Sequence, residues 1–477
     1  MNNDRRETLI GVIFLIVLGV AAFLRLYRLN EGLWFDEILT AVRYVRLPFH
    51  QLLFAFDSEN QHFLNSILAH FSVAMFGESE WALRLPAAIF GVGAIWLCYR
   101  FAGAVTNRLE ALLTASLLCV SYFHIWFSQN ARGYTGLQFW TMASSLLLIR
   151  CLETNDRRKW ILYGVTLALG MYTQLTMLFV PAGHFVIYLW KVRRELKMRP
   201  WNGLLYGFCF GAGLTLLLYS PVLGKIFRTI GEESTVAMWK QPLWTLLEIV
   251  WGMKLHFAGG IVALVALLIF GAGLFSYGRT KPIVVHLLIL PVLIGSVITL
   301  ALGHPLWPRF FFFNFGLAML ILVRGTMSLG ALFVTEKYRN FPGTVICILL
   351  ILVSALALPK AYAPKQDFLG ARKFVEENKA PGDVIATVGR ISLVYHGYYR
   401  LPYRKVETEE ALLSLQSDAS QLWILYIFPE DVKALYPGMM KLLERDFELI
   451  KTFDGTLNGG TVYVRRSVNR QDAKPPR

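Results

Sequence analysis

Residues 8–37 read TLIGVIFLIVLGVAAFLRLYRLNEGLWFDE, and this stretch decides the fold class. Residues 8–24 form an apolar run, and a helix needs about 20 such residues to cross the hydrocarbon of a membrane. A polar segment follows directly, with two adjacent carboxylates, Asp36 and Glu37, next to aromatic residues. The pattern predicts a membrane helix followed by an acidic loop at the membrane surface.

The rest of the chain continues this composition. Its 477 residues are 55% hydrophobic and only 17% charged, with a mean hydropathy of +0.48. Acidic residues avoid the centres of the apolar runs, because a charge there costs roughly 2.5–3.5 kcal/mol. A water-soluble enzyme is therefore excluded. The net charge is +15, but no basic block stands apart from the apolar runs, so nucleic acid is not a predicted partner.

Eleven apolar runs are predicted to be transmembrane helices, and together they define a polytopic α-helical domain over residues 1–359. The first is interpreted as an uncleaved anchor, since its small residues Gly19 and Ala21 lie inside the apolar run. The predicted spans cover 8–24, 82–101, 109–127, 134–152, 160–178, 179–190 with a backward extension, 203–220, 257–277, 283–302, 309–329 and 342–358.

Lysine and arginine in the short loops predict the orientation. With the N-terminus in the cytoplasm, eighteen of these residues fall on the cytoplasmic side and eleven on the other side. The sequence therefore predicts a multi-pass protein of the cytoplasmic (inner) membrane. An odd number of spans places the segment from Lys360 onward outside the cytoplasm.

Two segments of the first outer loop are too polar to cross a membrane. Residues 37–47 and 64–75 each place apolar residues on one helical face, so both are predicted to be helices in the membrane interface. From residue 360 to 477 the periodicity alternates between strand and helix, which predicts a small soluble α/β domain. Its expected strands are 383–388, 421–428 and 461–465, and its expected helices are 366–377 and 430–445.

The adjacent carboxylates are the first candidate catalytic residues. Neighbouring residues point in different directions, so Asp36 can face an acceptor hydroxyl as a general base while Glu37 holds a metal, a sugar hydroxyl or the loop. The alternative is that Asp36 is only the N-cap of the following helix.

Basic residues at the predicted outer ends of spans are candidates for binding a phosphate. Arg132 lies at the outer end of the third and fourth spans and Arg309 at the outer end of the ninth and tenth. A guanidinium there can bind a phosphate whose lipid tail stays in the bilayer. Anchoring to ordinary lipid headgroups is the alternative. His62 could bind a phosphate or, with Asp36 and Glu37, a divalent metal, although the spacing of these three is not diagnostic.

Four stretches in register resemble the bacterial protein O-mannosyltransferase and aminoarabinose transferase superfamily, the family 39-like glycosyltransferases of GT-C architecture. Two positions depart from the pattern of many relatives, which have Pro-Pro at Phe63-Leu64 and Glu at Asn130. The matching stretches are Leu33-Trp34-Phe35-Asp36-Glu37, Asn60-Gln61-His62-Phe63-Leu64-Asn65, 76–86 (FGESEWALRLP) and 122–134 (YFHIWFSQNARGY).

The resemblance implies an inverting hexosyl- or pentosyltransferase that takes a sugar from a polyprenyl phosphate on the outer face of the membrane. The acceptor would be a lipid, a glycan or a protein. Asp36 inherits the role of catalytic base and Glu37 a supporting one. The other supporting positions are Trp34, Arg84, Gln129 and Tyr134.

Two other functions remain open from the sequence. A transporter or flippase of lipid-linked sugars would also need many spans and phosphate-binding arginines, but it should show polar residues at mid-membrane and broken helices in matching halves. A ligase that moves a whole glycan from a pyrophosphate carrier shares the chemistry, but such ligases usually lack an Asp-Glu pair in the first loop.

Overall fold

The computed structural model describes residues 3–58, 60–194, 201–230, 257–304 and 306–468. These residues form two compact units. The first, called the membrane unit here, comprises the described residues up to 29, from 49 to 230 and from 257 to 362. The second, the loop-and-tail unit, combines residues 30–48 with 363–468, so the acidic loop after the first helix groups with the C-terminal domain.

Helices make up almost all of the membrane unit. Short 3₁₀ and π turns at 175–178, 202–209, 308–314, 331–333 and 336–338 join or extend them. The α-helices are α1 (Asn3–Leu26), α3 (Phe49–Leu52), α4 (Phe63–Phe76), α5 (Glu80–Val105), α6 (Arg108–Cys119), α7 (Tyr122–Ser128), α8 (Tyr134–Thr154), α9 (Arg157–Thr173), α10 (Phe179–Arg194), α11 (Phe210–Tyr219), α12 (Leu223–Ile230), α13 (Phe257–Thr280), α14 (Pro282–Ala301), α15 (Phe315–Gly330), α16 (Phe341–Leu356) and α17 (Leu358–Ala361).

Within the described residues, eight helices are long and apolar enough to cross a membrane, or nine if the bent pair α6 and α7 counts as one span. The polytopic helical fold is thus confirmed, but the count of eleven is not. The remaining two predicted spans correspond to α8 and α9. Polar residues such as Gln138 and Ser145 lie buried inside α8. Because protein covers these helices, they do not need the hydropathy of a lipid-facing span.

The bundle packs tightly where small residues meet. A Cβ at Gly325 in α15 would overlap the carbonyl oxygen of Ile269 in α13, so glycine permits the close approach of these two helices. The core of the bundle is built from buried side chains of α5, α8 and α9, including Phe101, Leu137 and Trp160. Four of the lysine and arginine residues used to predict the orientation lie outside the described residues: Lys197, Arg199, Lys240 and Lys254.

A five-stranded mixed sheet forms the centre of the loop-and-tail unit, in the order β2-β1-β3-β5-β4. β1 is parallel to both β2 and β3, whereas β5 is antiparallel to β3 and β4. The strands are β1 (Val384–Val388), β2 (Arg404–Val406), β3 (Leu422–Tyr426), β4 (Phe447–Phe453) and β5 (Val462–Ser467), and the helices are α2 (Phe35–Thr40), α18 (Phe368–Asn378), α19 (Glu409–Asp418), α20 (Pro429–Leu435) and α21 (Pro437–Asp446).

The two predicted interfacial helices have different outcomes. Residues 63–76 form α4, which exposes Phe71 and Met75 as an interfacial helix would. The segment 37–47 is shorter than predicted, with α2 followed by a π turn at Ala41–Val45. Its apolar residues Ile38 and Ala41 are buried, and it contacts the π turn Leu393–Tyr398 of the same unit. Protein therefore buries a face that was expected to lie in lipid.

Candidate active site

The predicted site residues divide between the two units. The acidic pair and Trp34 belong to the loop-and-tail unit, and the other candidates belong to the membrane unit. The second group comprises His62, Arg84, Gln129, Arg132, Tyr134 and Arg309.

The two carboxylates of the acidic loop have different surroundings. Glu37 is fully buried, and its Oε2 accepts a hydrogen bond of 3.2 Å from the amide of Trp34. Trp34 is the N-cap residue of α2, so Glu37 occupies the third helical position and satisfies an amide at the helix start. Asp36 is the second residue of the helix and is only half-buried. The structure therefore does not support Asp36 as the N-cap, and it gives Glu37 a structural task.

His62 lies at the start of α4 and is almost fully buried. Its Nδ1 accepts a hydrogen bond of 2.8 Å from the amide of Gly133, and its Nε2 lies 3.2 Å from Nη2 of Arg132. An amide N–H can only donate, so the neutral ring must carry its hydrogen on Nε2. Burial, followed by the charges of Arg132 and Arg309, holds the pKa of His62 well below its usual value of 6.5.

This tautomer makes the His62–Arg132 pair a site for an acceptor. Nε2–H of the imidazole and the guanidinium are both donors, and two donors this close are stabilised by an oxygen that accepts from both. Arg132 also donates to the carbonyl oxygen of Asn60, which fixes the guanidinium against the turn before α4. The arrangement is suited to an oxyanion such as a phosphate.

Gly133 allows the imidazole to reach this position. A Cβ at Gly133 would lie 3.1 Å from Nδ1 of His62 and 3.0 Å from the carbonyl oxygen of Thr173. The ring of Tyr134 contacts the His62 ring edge-on, at a centroid distance of 5.4 Å. Gly133 and Tyr134 therefore both contact the imidazole of His62.

Arg309 is the second cation whose charge acts on His62. It is the second residue of the 3₁₀ turn Pro308–Asn314, and its guanidinium lies over the ring of Trp307 at 4.6 Å. Its charge contributes to the lowered pKa of His62. The structure thus brings both Arg132 and Arg309 within electrostatic range of His62, although the sequence separates Arg309 from His62 and Arg132 by more than 170 residues.

Arg84 and Gln129 have positioning tasks. Both side chains are buried, and both donate to backbone carbonyls at the end of α1. Arg84 donates to Leu29 over 3.1 Å, and Gln129 donates to Arg25 over 3.1 Å and to Tyr27 over 2.6 Å. They fix the chain just before the acidic loop begins.

Arg25 was not among the candidate site residues that the sequence indicated. The residue is fully buried, donates to the carbonyl oxygens of Leu118 and Cys119, and lies 2.7 Å from Nδ1 of His124. These carbonyls end α6, where the chain bends by 62° into α7. Arg25 therefore supplies hydrogen-bond donors to the carbonyl oxygens at the break between α6 and α7. The chain continues from α7 to Arg132. An arginine next to the end of an apolar run was the available signal.

A metal site does not fit these residues. Both ring nitrogens of His62 face donors, and two arginines surround it, so a cation there would be repelled. The carboxylate of Glu37 already accepts a hydrogen bond from the amide of Trp34 at the start of α2. Among the residues that the model describes, no group of three or more His, Cys, Asp or Glu side chains could hold a metal ion.

Comparison with known proteins identifies the fold. The structure is similar to ArnT from Cupriavidus metallidurans in the apo state, with a TM-score of 0.58, 12% identity and 100% coverage of both chains. It is also similar to the Archaeoglobus fulgidus oligosaccharyltransferase in complex with Zn and sulfate, with a TM-score of 0.55, 12% identity, and coverage of 92% of this chain and 72% of that one. The chain has the GT-C fold. The resemblance inferred from the sequence is thereby confirmed.

The sequence comparison supports the same assignment. Residues 63–224 match the family model described as dolichyl-phosphate-mannose-protein mannosyltransferase. A second structure of ArnT from Cupriavidus metallidurans, bound to undecaprenyl phosphate, matches with a TM-score of 0.53 and 11% identity over 98% of this chain and 99% of that one. A comparison with curated proteins finds no match. The GT-C fold and the apolar helices together make this a multi-pass membrane protein.

Proposed function

We propose that this protein is an inverting glycosyltransferase that moves a single hexose or pentose from a polyprenyl phosphate to an acceptor hydroxyl. The reaction would take place on the outer face of the cytoplasmic membrane, with the N-terminus in the cytoplasm. The GT-C fold supports this proposal. Two proteins of similar structure are described with undecaprenyl phosphate and with dolichol-phosphate bound.

The observation that carries the proposal is the pair of facing donors on His62 and Arg132, 3.2 Å apart. A phosphate oxygen can accept from both, and the cationic Arg309 adds to the attraction for an anion. The flanking α4 and the apolar spans offer a surface on which an isoprenoid tail can remain in the bilayer. These features favour a lipid phosphate as the ligand.

The chemistry assigns one role to each set of residues. Asp36 accepts the proton of the acceptor hydroxyl. At the same time the oxygen of that hydroxyl attacks the anomeric carbon from the face opposite the phosphate. The bond between the anomeric carbon and the phosphate oxygen breaks, and its electron pair leaves with the polyprenyl phosphate. Arg132, Arg309 and His62 stabilise the negative charge that develops on the leaving oxygen. Attack from the opposite face inverts the configuration.

Binding and turnover measurements test the two roles separately. The purified full-length protein is titrated with undecaprenyl phosphate, and release of polyprenyl phosphate from a lipid extract of the source membranes is followed by mass spectrometry. Arg132→Gln and Arg309→Gln should each weaken binding at least about tenfold, whereas Arg445→Gln, at an exposed arginine of the C-terminal domain, should not. Asp36→Asn should bind normally and release nothing. Turnover in Asp36→Asn, or unchanged affinity in both arginine variants, would contradict the proposal.

The bent pair α6 and α7 is a feature that a transporter can share, so translocation is the competing function. Reconstituted liposomes separate the two: a transferase releases polyprenyl phosphate without moving the intact lipid-linked sugar across the bilayer. Translocation without release would favour a flippase. Release of a polyprenyl pyrophosphate would favour a glycan ligase.

A further inference from the structure

The C-terminal domain holds the acidic loop through several contacts within the loop-and-tail unit. The amide of Phe35 donates to Oε1 of Gln366 over 2.8 Å, and the ring of Phe35 meets that of Phe428 edge-on at 5.8 Å. Arg46, at the far end of the loop, donates to the carbonyl oxygens of Gly397 and Tyr398. The residue next to Asp36 is therefore fixed by both its backbone and its side chain.

These contacts fall at a particular place on the sheet. From β1 the chain continues to β2 on one side, and β3 lies on the other side of β1, with all three strands parallel. In α/β proteins the crevice outside the carboxyl ends of strands with this arrangement is where ligands bind. Arg390 follows β1 and Phe428 follows β3, so the acidic loop meets the sheet at this crevice.

Two side chains of the crevice form a forked ion pair. Nε and Nη2 of Arg390 donate to the two carboxylate oxygens of Asp431 over 2.6 and 2.8 Å. The side chain of Asp431 is buried, with 4% of its surface exposed, whereas that of Arg390 is 44% exposed and lies at the protein surface. Paired donors of this kind fix the plane of a guanidinium. Arg390 is thus held in one orientation at the rim of the crevice.

The charge of Asp36 acts on this guanidinium. The pKa of Arg390 is raised, first by its hydrogen bonds to Asp431, then, against the opposing effect of burial, by the charges of Asp431, Asp36 and Tyr436. The acidic loop and the ion pair are therefore electrostatically coupled inside one compact unit.

We infer that Arg390, fixed by Asp431, is a positioning residue that orients the carboxylate of Asp36 toward the acceptor. The inference rests on the proposed role of Asp36 as the base. It gives the C-terminal domain a part in the reaction. The crevice at the carboxyl ends of its parallel strands holds the loop of the catalytic base, and Arg390 sets the direction of that base. A carboxylate that is free to rotate would spend less time in the reactive geometry.

The experiment uses the full-length protein and three substitutions. Arg390→Met removes the charge, Arg390→Lys keeps it without the fork, and Arg445→Met is the matched control, because Arg445 is an exposed arginine of the same domain that also pairs with an aspartate. Release of polyprenyl phosphate from the membrane lipid extract gives the turnover and the KM. Titration with undecaprenyl phosphate gives donor-site binding, and hydrogen exchange of residues 30–48 reports whether the loop is still held.

Arg390→Met should lower kcat by roughly 10- to 100-fold, with unchanged binding and unchanged exchange of residues 30–48. Arg390→Lys should recover part of the turnover, and Arg445→Met should lose none. In an Asp36→Glu background, where the carboxylate is already displaced, Arg390→Met should lower kcat by a much smaller factor.

Three results would overturn the inference: normal turnover in Arg390→Met, a loss that Arg390→Lys does not reduce, or a loss accompanied by faster exchange of the loop, which would mean a structural role alone. Asp36→Asn is measured beside them. If that variant retains turnover, the proposed base is wrong; if it is inactive while Arg390→Met is normal, only the role of Arg390 is rejected.

Discussion

The side-chain amide of Gln129 donates a hydrogen bond of 2.6 Å to the carbonyl oxygen of Tyr27. Tyr27 follows directly after α1, and the last carbonyls of a helix have no partner within it. Gln129 also reaches the carbonyl oxygen of Arg25, so one side chain satisfies two acceptors at this helix end. The contact joins the end of α1 to the stretch that carries Arg132.

We therefore expect Gln129→Leu to destabilise the protein by about 1–3 kcal/mol, because buried carbonyl groups lose their donor. Hydrogen exchange of residues 27–32 should become faster, and turnover should fall more than undecaprenyl phosphate binding does. The measurements are thermal unfolding in detergent and exchange mass spectrometry. Gln51→Leu, at an exposed position, is the control. Equal stability of the two variants would show that the Gln129 contact does not hold the loop.

Glu37 and Asp36 should respond differently to loss of charge. Glu37→Gln keeps an oxygen that can accept from the amide of Trp34, so it should retain most of its activity. Glu37→Ala should lose about 1 kcal/mol of stability, as when a helix cap is removed. Asp36→Asn should be inactive and stable. Assays of polyprenyl phosphate release with melting curves compare the three. Inactivity of Glu37→Gln would assign the buried carboxylate a part in the chemistry.

The lowered pKa of His62 predicts a pH dependence of stability. Below the unfolded-state pKa of about 6.5, the unfolded chain binds a proton that the folded ring does not. Stability should thus fall with decreasing pH by up to about 1.4 kcal/mol per unit from this residue. His62→Asn should remove that contribution, so the difference in melting temperature between wild type and variant should shrink from pH 7.5 to 5.5. A constant difference would mean that the pKa of His62 is the same in the folded and unfolded states.

Gly133 should tolerate no side chain. Gly133→Ala would place a Cβ 3.1 Å from Nδ1 of His62 and 3.0 Å from the backbone oxygen of Thr173. The imidazole would have to move away from Arg132, so we expect binding of undecaprenyl phosphate to weaken by roughly tenfold, as for loss of a charge-assisted contact. Gly103→Ala in α5 is the control, since a Cβ there meets nothing within 4 Å. Equal affinity in both variants would remove His62 from the phosphate site.

Local pattern was enough to predict most elements. The described apolar runs form helices, and the three predicted strands correspond to β1, β3 and β5 within two residues of their expected ends. The predicted helix 430–445 is instead two helices, α20 and α21, because Pro437 cannot continue the helix that precedes it. The short β2 and the exposed β4 were not predicted, since neither carries a clear buried periodicity.

The sequence by itself determined that the protein crosses a membrane, that an acidic pair follows the first span, and which residues offer cations. These properties depend on composition and on neighbours along the chain. Only the tertiary structure decided that Glu37 serves a helix start, that Arg25 is buried against the break of α6 and α7, and that His62 presents Nε2–H beside Arg132. Each of these is set by a partner, and for Arg25 and His62 that partner lies 70 to 94 residues away. The type of a side chain fixes which hydrogen bonds it can donate or accept, but not which partner it meets. Its role therefore depends on the partner that folding places beside it.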